Sequence, residues 1–188
     1  GLGDVYKRQL SQKKAKGTLP ANGAVIKTIV STEMIRPMCE AYGVELMDVL
    51  TGFKFIGEKI KGFEETGSHS YIFGFEESYG CLAGTYARDK DAVVATLLIC
   101  EMAAYYKKQG MTLYDGLMAL YEKYGYYREG VKSLTMKGLD GVEKIQKIMA
   151  SFRAETPADF AGVAVEWAKD YKTCLLYTSD AADDLIGV

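Results

Sequence analysis

Alternation between strand-forming and helix-forming stretches is the feature that most narrows the folds open to this chain. Residues 24–30 (AVIKTIV) are rich in β-branched side chains and read as a strand. Ser31 or Thr32 can then cap a helix to about Tyr42, with Glu33 in its first turn and Gly43 ending it. Residues 44–50 read as a second strand. A helix from near Phe53 follows, carrying Phe55, Ile56, Ile60 and Phe63 close to helical spacing. Residues 70–75 form a third strand, and helices run from Lys90 to about Lys108 and from about Leu113 to Tyr124. Strands separated by helices predict an α/β domain with a largely parallel or mixed sheet and flanking helices. Ligands of such sheets collect at the carboxyl ends of the strands, where Thr51-Gly52 and Glu76-Glu77-Ser78 both fall.

The two ends of the chain need separate treatment. Asp4 to Gln9 can be encoded by GAT GTG TAT AAG AGA CAG. The reverse complement of that string, read one base later, encodes Cys174 to Thr178 and begins Ser179. An inverted repeat of this kind is what transposase-type library adapters leave around an insert. Residues 1–9 and 174–188 are therefore expected to be adapter-encoded, and residues 10–173 to be an insert cut from a longer gene.

The 188 residues are 48% hydrophobic, enough for one full domain and part of another. A formal net charge of −2 argues against a dedicated nucleic-acid binder. With Cys174 assigned to the adapter, Cys39, Cys81 and Cys100 remain, without metal-ligand spacing; they fit a reducing cytoplasm better than a disulfide framework. The most apolar run, residues 92–106, is too short for a bilayer and reads as a buried helix. After the aromatic cluster at residues 124–127 the pattern changes. A strand-like run at residues 130–136 precedes a helix with Val142, Ile145, Met149 and Phe152 on one face, and a strand is expected at residues 163–167. This reads as the truncated start of a second, α+β domain.

Residues 73–91, FGFEESYGCLAGTYARDKD, carry the chemistry. Adjacent carboxylates and a serine at a strand end suit the reading of neighbouring sugar hydroxyls, since a carboxylate accepts from two hydroxyls while serine donates or accepts. Lys90 supplies a cation where an anionic substituent could sit. In an extended segment successive side chains face opposite ways, so Glu77 is expected to turn from Glu76, toward Arg88 or Lys54 as an ion pair. His69 falls in a loop and reads as surface.

With GTLPANGAVIKTIVSTE, LTGFKFIGEKI, FGFEESYG, ARDKDA and YGYYREGVKSL in this order, the insert resembles the α-D-phosphohexomutases across residues 10–173. The family writes its sugar-reading loop GEES; here Phe75 replaces the glycine, as in the branch holding bacterial phosphoglucomutases and phosphopentomutases. The resemblance implies four domains: a phosphoserine domain, a Mg²⁺-binding domain with a D-x-D-x-D loop, a sugar-reading domain and a phosphate clamp. It places residues 10–126 in the third and residues 127–173 at the start of the fourth. The serine and metal motifs are absent from this sequence, so it implies no metal ligand here and an inactive fragment. The family reaction moves a phosphoryl group between O1 and O6 of a hexose through glucose 1,6-bisphosphate. Its implied partners are a hexose phosphate and the remaining domains of the same chain, with neither nucleic acid nor membrane. By matching motifs, Glu76 and Ser78 would grip the sugar hydroxyls and Lys90 would lie near the transferring phosphate as an ion partner or acid/base. Thr51 and Gly52 would offer a substrate-contacting turn. Glu77, Arg88 and Lys54 are further candidates.

Overall fold

The computed structural model describes residues 2–130, 135–171 and 175–178. The chain divides between Glu129 and Gly130 into two compact units. In the first, the elements are α1 (Leu2–Ala15), β1 (Gly23–Thr28), α2 (Ile35–Tyr42), β2 (Glu45–Val49), α3 (Phe53–Thr66), β3 (Ser70–Phe75), β4 (Cys81–Leu82), α4 (Ala92–Lys108) and α5 (Leu113–Tyr124). The sheet order is β2-β1-β3-β4. β1 pairs parallel with both β2 and β3, and β4 runs antiparallel to β3. The result is the α/β sheet with flanking helices that the strand–helix alternation predicts.

Alternating side chains give the sheet two apolar faces. Val25, Phe73 and Phe75 meet α1, α2, α4 and α5 through Tyr6, Leu10, Ile35, Met38, Met102 and Leu120. Ala24, Ile26 and Leu82 meet α3 through Phe53, Ile56, Ile60 and Phe63. Because β1 is covered on both faces and paired on both edges, all six of its residues are buried.

Several boundaries differ from expectation for identifiable reasons. α2 begins at Ile35, not after Ser31 or Thr32, although the Thr32 hydroxyl does accept the Met34 N–H at 3.2 Å. Pro37 sets the start. From Ile35 it lies in the first turn, where a missing N–H loses no helical partner, whereas an earlier start would put it inside the helix. α4 begins at Ala92 because the Asp91 carboxylate accepts the Val93 and Val94 N–H groups as its cap. β1 stops at Thr28 and β4 is only two residues long.

In the second unit, α6 (Leu139–Ala154) is followed by the β5 (Asp159–Phe160)/β6 (Val163–Ala164) hairpin and by β7 (Trp167–Asp170) paired antiparallel with β8 (Leu175–Thr178). The strand expected at 163–167 is thus split between two pairings. Residues 131–134 of the strand-like run at 130–136 lie outside the described residues, as do residues 172–174 and 179–188. Val142, Ile145, Met149 and Phe152 share the expected face of α6, and all four are exposed. Arg153 anchors α6 to β7 through its Nε, 2.9 Å from Asp170 Oδ2.

α1 covers the sheet with Tyr6 stacked on Phe75, ring centroids 4.1 Å apart, and against Phe73 at 4.9 Å. Its polar atoms fit less well: among the described residues the buried Tyr6 hydroxyl and the Arg8 Nε and Nη1 lack hydrogen-bond partners. The ring therefore stabilises while its hydroxyl is a liability, since a buried unpaired polar group costs about 1–3 kcal/mol. Tyr6→Phe should leave the thermal midpoint of the chain unchanged or higher, and Tyr6→Ala should cost about 3 kcal/mol. Calorimetry on both variants checks this; a marked loss in Tyr6→Phe would show that the hydroxyl is satisfied.

Candidate functional site

Parallel pairing brings the carboxyl ends of β1, β2 and β3 to one edge of the sheet, so Thr28, the Thr51-Gly52 turn and Glu76 share it. Glu76 is 6% exposed. Its Oε1 accepts a hydrogen bond from Ser78 Oγ at 2.6 Å and lies 3.4 Å from Lys90 Nζ. Lys90 also stands over the Phe53 ring, 5.6 Å from its centroid, and so links the loop after β3 to the first residue of α3. Glu76, Ser78, Lys90 and the turn before Phe53 thus come together.

The loop that presents Glu76 is a tight hairpin between β3 and β4, closed by the Glu76 N–H donating to the Gly80 carbonyl at 2.9 Å. Tyr79 takes a left-handed conformation with φ of 65°, uncommon for a side chain of its size, and projects into solvent. A Cβ at Gly80 would fall 2.5 Å from Lys90 Cδ and 2.7 Å from Glu76 Oε1, so these side chains would have to shift to admit a methyl group. Close approach of Lys90 to Glu76 depends on that missing atom. The same logic seats the following loop, where a Cβ on Gly57 of α3 would lie 2.7 Å from the Arg88 carbonyl oxygen.

Asp89 accepts from both the backbone N–H and the ammonium of Lys90, at 2.8 and 3.1 Å. That hydrogen bond, with a smaller contribution from Glu76, outweighs desolvation and holds Lys90 above the ordinary lysine range. At neutral pH Lys90 is a cation. Depression of its pKa, which proton exchange near neutrality would need, does not arise from these neighbours.

Glu77 stands in the hairpin turn and not in an extended segment as expected, and it reaches a hydroxyl rather than Arg88 or Lys54. Its Oε2 accepts from Thr28 Oγ1 at 2.8 Å. Arg88 instead pairs with Glu64 and donates to the Thr85 and Ala87 carbonyls. Lys54 lies over the ring of its neighbour Phe55, 4.9 Å from the centroid. Thr51 is exposed, and Gly52 holds φ at 110°, which only glycine adopts without strain. His69 has partners that its loop position did not suggest: Nε2 is 2.8 Å from Glu45 Oε2, and its ring packs on Phe63.

Behind Thr28 lies a group that pattern reading passed over. Lys27 is completely buried, with Nζ 2.7 Å from Glu33 Oε1 and 2.9 Å from Asp48 Oδ1; it also donates to the carbonyls of Thr28 and Ser31 at 3.4 and 3.2 Å. Arg36 bridges the same two acids. A lysine inside a run of β-branched residues was the available signal. Burial alone would raise the Asp48 carboxyl, but the bonds and charges of Lys27 and Arg36 prevail and hold it below the ordinary aspartate range.

Among the described residues no group of three or more His, Cys, Asp or Glu side chains could hold a metal ion, and no helix is long and apolar enough to cross a membrane. Cys39 and Cys81 are buried free thiols and Cys100 is exposed.

Comparison with known proteins places these features. A family model described as phosphoglucomutase/phosphomannomutase, alpha/beta/alpha domain III, matches residues 5–124. The phosphoglucomutases of Staphylococcus aureus strains bovine RF122 / ET3-1 and MRSA252 are each 39% identical over 156 residues, which is 83% of this chain and 28% of theirs. Among solved structures, a provisionally named phosphomannomutase from Thermus thermophilus superposes with a TM-score of 0.52 at 21% identity. The match covers 72% of this chain and 30% of that one, and bears on the fold alone.

Two outcomes follow from the geometry. Asp48 is kept ionised by folding, so its contribution to stability is complete above about pH 4 and drains away as the pH falls through its lowered folded value. Urea midpoints measured between pH 6 and pH 3 should fall for the wild type. Asp48→Asn should start lower and change less, and an identical slope in the variant would remove Asp48 as the linked group. Gly80→Ala should push Lys90 from Glu76 while the fold persists, read by crystallography of the variant; an unmoved Lys90 would show that the loop yields instead.

Proposed function

The chain belongs to the phosphoglucomutase/phosphomannomutase family, and on that premise we propose that it is the sugar-reading part of a phosphoglucomutase. The chain spans 28% of the length of the curated relatives it matches, so the activity proposed is that of a longer protein, interconverting glucose 1-phosphate and glucose 6-phosphate. That protein would work through a phosphoserine and a glucose 1,6-bisphosphate intermediate. Residues 10–126 form the sugar-binding domain in this reading, residues 127–173 open the phosphate-clamping domain, and residues 1–9 and 174–188 derive from adapters.

The observation that carries the reading is the buried Glu76 carboxylate at the carboxyl edge of the sheet, bonded to Ser78 and facing Lys90. Both contacts use Oε1, which leaves Oε2 to accept from a ligand hydroxyl while Ser78 Oγ, its one proton given to Glu76, accepts from the neighbouring hydroxyl. A pair of vicinal ring hydroxyls remote from both phosphates is a handle that works in either orientation of the sugar, as transfer between O1 and O6 demands. Lys90, held protonated by Asp89, serves as a fixed positive charge for the phosphate rather than as a base. The Thr51-Gly52 turn opens α3 at the same edge with no side-chain cap, which suits the first N–H groups of the helix to an anion or a hydroxyl. The Mg²⁺ expected of the family would be held by another domain of the longer protein, since the side chains described here form no cluster that fits it.

A coupled mutase assay on the complete gene product tests the assignment, with glucose 1-phosphate, mannose 1-phosphate and ribose 1-phosphate as alternatives. Glucose 1-phosphate should be preferred, and Glu76→Ala should lower kcat/KM by about 10–100-fold, the loss of one or two charge-assisted hydrogen bonds. Preference for another sugar phosphate would keep the reaction class and change the substrate. Absence of turnover on all three would leave a sugar-phosphate-binding module.

A further inference from the structure

We propose that Thr28 is a positioning residue for the paired carboxylates: its hydroxyl holds Glu77 off the ligand side, so that Glu76 alone meets the sugar and keeps Lys90. This rests on the sugar-reading assignment of Glu76 above. Glu77 is exposed on a hairpin loop and its neighbour carries the same charge, so repulsion alone does not fix where it points. A second carboxylate swinging toward Lys90 would compete with Glu76 for the cation and with the ligand phosphate for its charge.

Thr28 is equipped to prevent that. It is fully buried, its Oγ1 lies 2.8 Å from Glu77 Oε2, and Ser31 Oγ sits 2.6 Å from the same Oγ1. Each hydroxyl has one proton, and an ionised carboxylate only accepts. Thr28 must therefore donate to Glu77, and Ser31 must donate to Thr28. The chain of protons runs in one direction, from Ser31 through Thr28 to Glu77. Lys27, with no exposed surface, fixes the origin of that chain by donating to the carbonyls of Thr28 and Ser31 while Glu33 and Asp48 hold its ammonium. Backbone and side chain of the turn at 28–31 are thus clamped from behind, and the rigid end of the central strand sets the loop after β3.

The test is a double-mutant cycle on the complete gene product, with Thr28→Val, Glu77→Ala, the double variant, Thr28→Ser and Glu76→Ala assayed on glucose 1-phosphate. Thr28→Val keeps the shape and removes the donor. Thr28→Val frees the Glu77 carboxylate to compete for Lys90 and should raise KM about tenfold, the scale of one hydrogen bond to a charged group, with kcat changed by less than about twofold. Adding Glu77→Ala removes the competitor, so the double variant should recover most of the affinity that Thr28→Val loses. Thr28→Ser should keep most of the affinity. A double variant as impaired as Thr28→Val, or worse, would overturn the proposal; so would Glu77→Ala alone binding as weakly as Glu76→Ala, a result that decides the matter even if Thr28→Val fails to fold. Glu76→Ala separates the two levels of inference. If it is impaired while Thr28→Val is not, the positioning role falls and the sugar-reading role stands. If Glu76→Ala binds normally, both fall together.

Discussion

A lysine with no exposed surface is the constraint around which the carboxyl edge of this sheet is organised. An ammonium removed from water is strongly disfavoured unless charges and acceptors replace the solvent. Lys27 is given two carboxylates and two carbonyls within 3.4 Å, and Arg36 then balances the acids. These partners come from β1 itself, the turn after it, the start of α2 and the carboxyl end of β2. Satisfying one buried charge therefore ties together the segments that bear on the site. A buried ion cluster of this kind contributes little net stability against an apolar replacement; what it contributes is a single arrangement of the strand end.

The strand–helix alternation gave away the architecture because local signals and the global fold agree. β3 was legible at its full length, since an apolar run ends abruptly at two acids. Other elements were illegible for physical reasons. β4 is two residues between glycine-containing loops, too short to carry a period, and exists because β3 offers it an edge. The late start of α2 follows from a proline whose cost depends on which turn it occupies. α1 was not anticipated from the sequence, and it covers the Phe73 and Phe75 face through the Tyr6 ring.

The candidate site was legible residue by residue where chemistry is local, and opaque where it is not. Glu76, Ser78 and Lys90 are near neighbours in the chain, and their grouping follows from a hairpin and a cap. The partner of Glu77 lies 49 residues away, in a strand whose threonine looks like any β-branched filler. Arg88 and Lys54 were plausible ion partners by charge alone, but the loop that carries Arg88 sits against Gly57 and directs its side chain to Glu64. The state of Lys90 was likewise invisible, because it depends on how the carboxylate beside it folds back onto the ammonium.

The central place of β1 has a consequence in time. It is the first strand of the chain and pairs in parallel on both sides, so it must wait for β2 and then for β3 before its hydrogen bonds are complete. On a ribosome it would emerge with both edges unpaired, carrying a lysine still in water. The partners of the Lys27 ammonium all lie between residues 28 and 48, whereas the Thr28 hydroxyl also needs Glu77, 49 residues on. The carboxyl edge is thus complete only once the loop after β3 has been made.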